Sequence, residues 1–133
     1  MASLVVDTHS VLWYIFRDAR LSSAARDALH AVTEAGDPIL VPSICIVEVT
    51  YLAEKGRIPV AALERLTFIL QEPSPGFEVA PLNLGVAIVS RQIPRDVVPD
   101  LPDRVIAATA LSLGLPLFTA DRRIRSAGIQ TIW

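Results

Sequence analysis

Short runs of apolar residues alternate along the chain with longer segments in which apolar residues recur every three or four positions. A short continuous apolar run is typical of a strand buried on both faces, whereas the longer period is typical of an amphipathic helix. The pattern therefore predicts five strands, over residues 4–6, 39–41, 77–82, 115–119 and 129–133.

The segments between these strands carry the usual helix-bounding residues. Ser22 or Ser23 suits the N-cap of one helix and Ser43 that of another, while glycines and prolines supply the ends, at Gly36, Gly56, Gly114 and the sequence Pro73, Ser74, Pro75, Gly76. These signals predict helices over 9–16, 24–35, 44–55, 60–71, 83–92 and 103–113, and a helical turn over 121–126. Strands that alternate with helices predict one α/β domain over residues 1–133, with a mainly parallel sheet covered by helices on both faces.

Composition narrows the classes of protein that need to be considered. With 52% hydrophobic residues the chain is not disordered, and a net charge of −2 gives no global attraction to nucleic acid or to a membrane surface. Eleven of the twelve basic residues are arginine, which suits phosphate recognition, although a coding bias explains this equally well. Cys45 is the only cysteine, and neither a signal peptide nor an 18-residue apolar run is evident, so we expect a soluble, cytoplasmic protein.

Two of the predicted strands run directly into a carboxylate. Asp7 follows the first strand, and Asp121 follows the strand over 115–119. In open α/β sheets ligands bind at the carboxyl ends of the strands, so both acids are expected at that edge. Taken alone, Asp121 is better explained as the cap of the helical turn that follows.

Glu48 lies on an apolar helical stripe. The spacing predicts that Ile44, Val47, Tyr51 and Leu52 face the core, and residue 48 falls on the same face. A carboxylate there is costly unless it is paired or binds a metal. The alternative is a partly exposed helix on which Glu48 pairs with an arginine.

A second acid heads the stripe of the helix over 103–113. Asp103, Ile106, Ala107 and Ala110 follow the helical period, and the alanines indicate close packing. An aspartate in a first helical turn is also favoured by the helix dipole, which is a purely structural reason for its presence. Asp100 has a similar structural role available as the N-cap.

Convergence of these four acids would require charge neutralisation. Two carboxylates about 4 Å apart repel by roughly 4 kcal/mol at an effective dielectric constant of 20. Several such pairs would cancel much of a typical domain stability of roughly 5–15 kcal/mol. Either some of the acids are protonated or a cation binds among them, and oxygen ligands in an open site suit Mg²⁺ or Mn²⁺.

The sequence resembles the PIN-domain ribonucleases, and most closely the toxin components of the VapBC toxin–antitoxin systems. The matching segments occur in the family's order: Val5-Val6-Asp7-Thr8-His9, Ser43 through Val47-Glu48, Asp100 through Ala110, and Phe118-Thr119-Ala120-Asp121. The resemblance implies a PIN-like three-layer α/β/α sandwich with a catalytic, metal-binding pocket of Asp7, Glu48, Asp103 and Asp121. Thr119 matches a position that helps to place a ligand or water, and Asp100 matches a frequently acidic one.

The same resemblance implies a Mg²⁺-dependent endoribonuclease toxin, with Mn²⁺ as a possible substitute, in which a metal-activated water cleaves RNA. It also implies a cognate antitoxin, a homodimer and no membrane association. Trp13, Tyr14 and Phe16 are candidates for a groove that accepts an antitoxin helix, although core packing is the simpler account of Trp13. Arg104, Arg122 and Arg123 flank the acids and are candidates to hold the RNA backbone, or they are ordinary solvated arginines.

Other functions are compatible with parts of the pattern. The chain could be a PIN-type RNA-processing nuclease that is not a toxin, or a non-catalytic RNA-binding module, although the latter is expected to be basic. A phosphatase with an aspartate after its first strand would need a second aspartate where His9 stands. His9 and His30 are both interpreted as structural.

Overall fold

A five-stranded parallel sheet forms the centre of the computed structural model, which describes residues 3–71 and 76–133. The strand order is β3-β2-β1-β4-β5, and each of the four pairings between described strands is parallel. The strands are β1 (Leu4–Val6), β2 (Ile39–Pro42), β3 (Phe77–Ala80), β4 (Leu117–Phe118) and β5 (Thr131–Ile132). The predicted parallel sheet is confirmed, and the last strands are shorter than their apolar runs.

Helices follow each strand except the last. They are α1 (Thr8–Ile15), α2 (Ser23–Glu34), α3 (Ser43–Glu54), α4 (Val60–Gln71), α5 (Leu84–Val89), α6 (Leu101–Leu113) and α7 (Arg122–Arg125), with a 3₁₀ turn over Ser90–Gln92. The predicted segments are thus confirmed, and Pro73 and Pro75, expected to end α4, lie outside the described residues. Within the described ranges, no helix combines the length and the apolar character needed to cross a bilayer.

The two predicted serine caps have different outcomes. Ser22 caps α2, since its Oγ accepts a hydrogen bond of 3.1 Å from the N–H of Ala25. The prediction for Ser43 was wrong, because α3 begins at Ser43 itself and Pro42 occupies the N-cap. The Ser43 Oγ instead accepts a hydrogen bond of 3.0 Å from the N–H of Leu82, just beyond β3.

The core is built on both faces of the central strands. Leu4, Val5 and Val6 of β1 and both residues of β4 are buried, as expected for strands covered by helices on each side. Helix α6 packs against β1 and α3, and α2 packs against β2. The arrangement is a three-layer α/β/α sandwich.

The predicted core-facing stripe of α3 is partly wrong. Val47 and Tyr51 have 56% and 60% of their surface exposed, whereas Cys45 and Val49 are fully buried. The helix is apolar on several sides, so hydrophobicity alone does not identify the face that packs on the core. Glu48 nevertheless lies beside the true core face, because positions 45, 48 and 49 are neighbours on a helix.

The connections place a crevice next to β1. After β1 the chain forms β2 on one side of this strand, and it later returns to form β4 on the other side. The carboxyl ends of β1 and β4 therefore flank the point at which the strand order reverses, where open α/β sheets bind ligands. Asp7 and Asp121 follow these two strands.

Candidate active site: an acidic cavity at the end of the sheet

A cavity of about 350 Å³ opens beyond the carboxyl ends of β1 and β4. Five carboxylates contribute to its wall, supplied by four separate parts of the chain. The lining residues are Asp7, Thr8, His9, Ser10, Trp13, Glu48, Asp100, Asp103, Ala120 and Asp121. The four acids implied by the family resemblance therefore converge, together with Asp100.

Asp7 is held by the start of the helix that follows it. Its side chain caps α1, with Oδ1 accepting a hydrogen bond of 2.9 Å from the N–H of Ser10. Its Oδ2 accepts a second hydrogen bond, of 2.5 Å, from the hydroxyl of Thr119. Each oxygen keeps a further lone pair for a ligand.

Asp121 is fixed in a similar way after β4. Its Oδ1 accepts hydrogen bonds from the N–H groups of Arg123 at 2.8 Å and Ile124 at 3.4 Å, so the carboxylate caps α7. The alternative role as a cap is thus observed, yet the residue also lines the cavity. The second oxygen of Asp121 has no part in the capping bonds.

Glu48 projects from α3 towards the same space. Its Oε1 accepts a hydrogen bond of 2.5 Å from the hydroxyl of Thr8. Over residues 3–71 and 76–133, no arginine forms an ion pair with Glu48. The alternative of an arginine-paired surface glutamate is therefore not observed in this part of the protein.

Asp100 and Asp103 lie at the start of α6. Asp100 caps the helix, its Oδ2 accepting a hydrogen bond of 3.1 Å from the N–H of Asp103. One carboxylate oxygen from each of Glu48, Asp100 and Asp103 lies within 4.8 Å of the others. Asp100 was predicted as a secondary site residue because it matches a frequently acidic position of the family, and the alternative role as N-cap is also observed.

Burial, together with the neighbouring acids, favours the protonated form of Asp103. Burial is the main reason that the pKa of Asp103 is raised to about 7, and the charges of Asp100, Asp121, Glu48 and Asp7 act in the same direction. The ionised site therefore carries repulsion that a cation would relieve. Hard carboxylate oxygens in a partly open cavity are the donors that Mg²⁺ and Mn²⁺ accept, so the residues fit a divalent cation.

Arg104 does not line the cavity, although it follows Asp103 directly. Its Nε and Nη2 donate hydrogen bonds to the carbonyl of Ile93 at 3.2 and 2.9 Å, and Nη2 donates another, of 3.0 Å, to the carbonyl of Ser90. The guanidinium thus ties α6 to the turn before it. Arg122 and Arg123 are exposed beside Asp121.

Sequence reasoning did not single out five of the described lining residues as part of the site, namely Thr8, His9, Ser10, Trp13 and Ala120. Thr8, whose hydroxyl contacts Glu48, was noted only as part of the motif around Asp7. His9, interpreted as structural, is exposed at the cavity mouth, and Trp13 lies half-buried beside it. The sequence positions of His9 and Trp13 could have placed them at the site, since His9 follows Asp7 by two residues and Trp13 lies one helical turn further on.

Comparison with known proteins agrees with this geometry. The PIN domain family matches residues 4–130. Ribonuclease VapC22 of Mycobacterium tuberculosis is 33% identical over 126 residues, which are 95% of this chain and 92% of that protein.

Solved structures share the fold at lower identity. VapBC2 from Rickettsia felis, bound to a promoter DNA fragment, superposes with a TM-score of 0.74 at 14% identity, covering 100% of this chain and 99% of the other. DNA-bound VapBC from Salmonella typhimurium gives a TM-score of 0.73 at 23% identity, covering 99% and 98%. With the family match over nearly the whole chain, the conclusion is that this protein belongs to the PIN domain family.

Proposed function

We propose that this protein is a Mg²⁺-dependent endoribonuclease and the toxin of a toxin–antitoxin pair, with Mn²⁺ as a possible substitute for Mg²⁺. The observation that carries the proposal is the approach of Glu48, Asp100 and Asp103 within 4.8 Å, in a cavity also lined by Asp7 and Asp121. The ribonuclease name of the 33% identical relative supports the same activity. RNA is the proposed substrate.

Each acid has a proposed part in this chemistry. Asp7, Glu48, Asp103 and Asp121 hold the cation, and Asp100 adds a further oxygen to the side formed by α6. A bound divalent cation lowers the pKa of water and neutralises charge on the scissile phosphate. Thr8 and Thr119 act as positioning residues, because their hydroxyls orient Glu48 and Asp7.

This chemistry does not require a cysteine or histidine nucleophile. Cys45 is fully buried, and its thiol is close to the hydroxyl of Thr8, which lines the acidic cavity. Burial raises the pKa of the Cys45 thiol, which the hydroxyl of Thr8 lowers to a smaller extent, so the thiolate is disfavoured. Attack by water is therefore the proposed route.

A second cavity supports an antitoxin partner. It has a volume of about 480 Å³, and its mostly apolar wall is formed by α1, the end of α3 and the start of α4. Phe16 lines it with 47% of its surface exposed, and His9 and Trp13 belong to both cavities. We propose that an amphipathic segment of the antitoxin binds in this cavity. Tyr14, which was also a candidate for the groove, does not line this cavity and packs against Phe77 and His30.

We also propose that two copies of the chain associate. Large apolar side chains on α5 and at both ends of α6 are exposed, namely Leu84, Ile88, Leu101, Leu111 and Leu113. Leu84 and Ile88 lie one turn apart on α5, and we propose that a second copy covers them, because exposed apolar patches commonly mark interfaces. Light scattering coupled to size exclusion tests it: Leu84→Glu and Ile88→Glu together should give a monomer, and unchanged mass would reject this surface.

RNA cleavage by the purified protein tests the main proposal. We expect cleavage in Mg²⁺ or Mn²⁺ that EDTA abolishes and that Asp7→Asn lacks. Equal cleavage by Asp7→Asn would refute the mechanism, and RNA binding without cleavage would favour a binding module. Growth arrest on induction, relieved by co-expression of the neighbouring gene, would separate a toxin from an RNA-processing nuclease.

A further inference from the structure

Two rings stand at the mouth of the acidic cavity. His9 is exposed although Thr8 and Ser10 on either side are buried, and Trp13 lies four residues further along α1. Their ring centroids are 5.7 Å apart and the planes are tilted by 51°. Both rings line the cavity that contains the carboxylates.

The Trp13 ring is supported from the core. Trp13 packs edge-on against Trp133, with 6.2 Å between the ring centroids. Trp133 in turn lies against the buried ring of Phe118, with 5.3 Å between the ring centroids. The guanidinium of Arg20 lies 5.2 Å from the centre of the Trp13 ring. A side chain held on several sides loses little freedom when a ligand binds, so this surface is preorganised.

The negative charge of the cavity limits the kinds of contact that can attract a nucleic acid to it. Five carboxylates repel a polyanion, and the protein as a whole carries a net charge of −2. Among the described residues the cavity lining includes no lysine or arginine, and the exposed Arg122 and Arg123 lie outside this lining. Within the cavity a nucleic acid is therefore attracted by a bound cation and by uncharged contacts. Aromatic faces supply such contacts, because unpaired bases stack on them in the common modes of single-stranded RNA recognition.

We propose that His9 and Trp13 form a stacking platform for a nucleobase next to the phosphodiester that is cut. The inference rests on the proposed ribonuclease function and adds to it a surface that contacts a base of the substrate. His9 is a positioning residue here, and its ring face, not its ring nitrogens, makes the contact. The carboxylates hold the cation while the rings fix the strand beside it.

Binding to two oligomers tests the platform. Fluorescence anisotropy is measured, with Ca²⁺ in place of Mg²⁺ to slow cleavage, for a random 20-nucleotide single-stranded RNA and an abasic oligomer of equal length. We expect His9→Ala to weaken RNA binding by about 5- to 150-fold, the range seen when a stacking aromatic is truncated, with abasic binding unchanged. His9→Phe should retain RNA binding, since it preserves the ring.

His30→Ala is the matched control. His30 is also an exposed histidine, but its ring accepts or donates a 2.6 Å hydrogen bond with the Tyr14 hydroxyl on a different surface. We expect its RNA binding to equal that of the wild type. Equal losses for His9→Phe and His9→Ala, or equal losses on both oligomers, would overturn the platform.

Three further outcomes separate the stacking platform from an antitoxin-binding site and from a failure of the ribonuclease function. Loss of antitoxin binding by His9→Ala with unchanged RNA affinity would assign the rings to the protein partner and overturn the platform. Unchanged RNA binding by His9→Ala in a protein that cuts the RNA in Mg²⁺ would overturn it while the ribonuclease function stands. A wild type that does not cut RNA would count against the function itself.

Discussion

The hydroxyl of Thr119 donates a 2.5 Å hydrogen bond to Oδ2 of Asp7 across 112 residues of sequence. The same hydroxyl oxygen accepts a 3.0 Å hydrogen bond from the N–H of Asp121. One fully buried side chain thus joins the carboxylate after β1 to the backbone after β4. The spacing of two candidate metal ligands depends on this contact.

Thr119→Val should therefore impair both activity and stability. Loss of a partner that orients a metal ligand typically costs about 10- to 100-fold in metal affinity or activity. The buried oxygen of Asp7 and the N–H of Asp121 lose a partner, so the free energy of unfolding should fall by about 1–3 kcal/mol. Values of kcat/KM and urea unfolding curves measure the two effects.

Thr109→Val is the matched control for this substitution. Thr109 is equally buried, and its hydroxyl donates a 2.7 Å hydrogen bond to the carbonyl of Val105 within α6, away from the acids. We expect its activity to equal that of the wild type. If both variants lose the same activity, the effect is one of packing and the orienting role of Thr119 is wrong.

Much of the site was predictable because two of its acids directly follow apolar strands. Asp7 and Asp121 end buried parallel strands, and such ends meet at one edge of a sheet. The contribution of Asp100 was harder to predict, because a capping role already accounts for it. The core face of α3 was misassigned since Val47 and Tyr51 are apolar yet exposed, which a one-dimensional pattern does not distinguish.

Asp103→Asn should stabilise the metal-free protein at alkaline pH. The pKa of Asp103 is raised from 3.8 to about 7, so between these values the folded state holds a proton that the unfolded state has released. The free energy of unfolding therefore falls as pH rises through this window, and the loss is complete above about pH 7. Asparagine removes the ionisation, so its Tm in EDTA should exceed that of the wild type at pH 8.

Added metal should reverse this order. Mg²⁺ should raise the Tm of the wild type, because a ligand that binds the folded state stabilises it, and should have little effect on Asp103→Asn. Asp27→Asn, on the exposed surface of α2, should follow the wild type under all conditions. A wild type whose Tm in EDTA exceeds that of Asp103→Asn at pH 8 would contradict the repulsion described for this cavity.

Arg104→Ala should destabilise the protein without changing its intrinsic affinity for RNA. The guanidinium donates hydrogen bonds to the carbonyls of Ser90 and Ile93, and such charged bonds contribute about 1.5–3 kcal/mol each. Lysine lacks the planar fork, so Arg104→Lys should recover little of the loss. Urea unfolding measures stability, and fluorescence anisotropy measures RNA affinity. Lower RNA affinity at unchanged stability would contradict this prediction and would support a direct contact between Arg104 and RNA.

Arg122 and Arg123 should contribute to RNA binding through contacts with phosphates and not with bases. Both are exposed directly after Asp121, and no ion pair engages them in the part of the chain that the structure describes. Each phosphate contact on a single strand contributes about −0.7 to the slope of log affinity against log salt. Replacing both arginines with alanine should make that slope shallower by about 1.4 and weaken binding similarly for all RNA sequences.

A double variant of Arg65 and Arg91 provides the control for this charge change. Both are exposed and remote in sequence from the acids, on α4 and on the 3₁₀ turn, and neither lines the acidic cavity. Their replacement by alanine removes the same net charge, so a general field effect would appear in both double variants. If the salt slope changes equally in both double variants, Arg122 and Arg123 act only through the net charge of the protein. If the slope is unchanged in both double variants, Arg122 and Arg123 do not contact the RNA backbone.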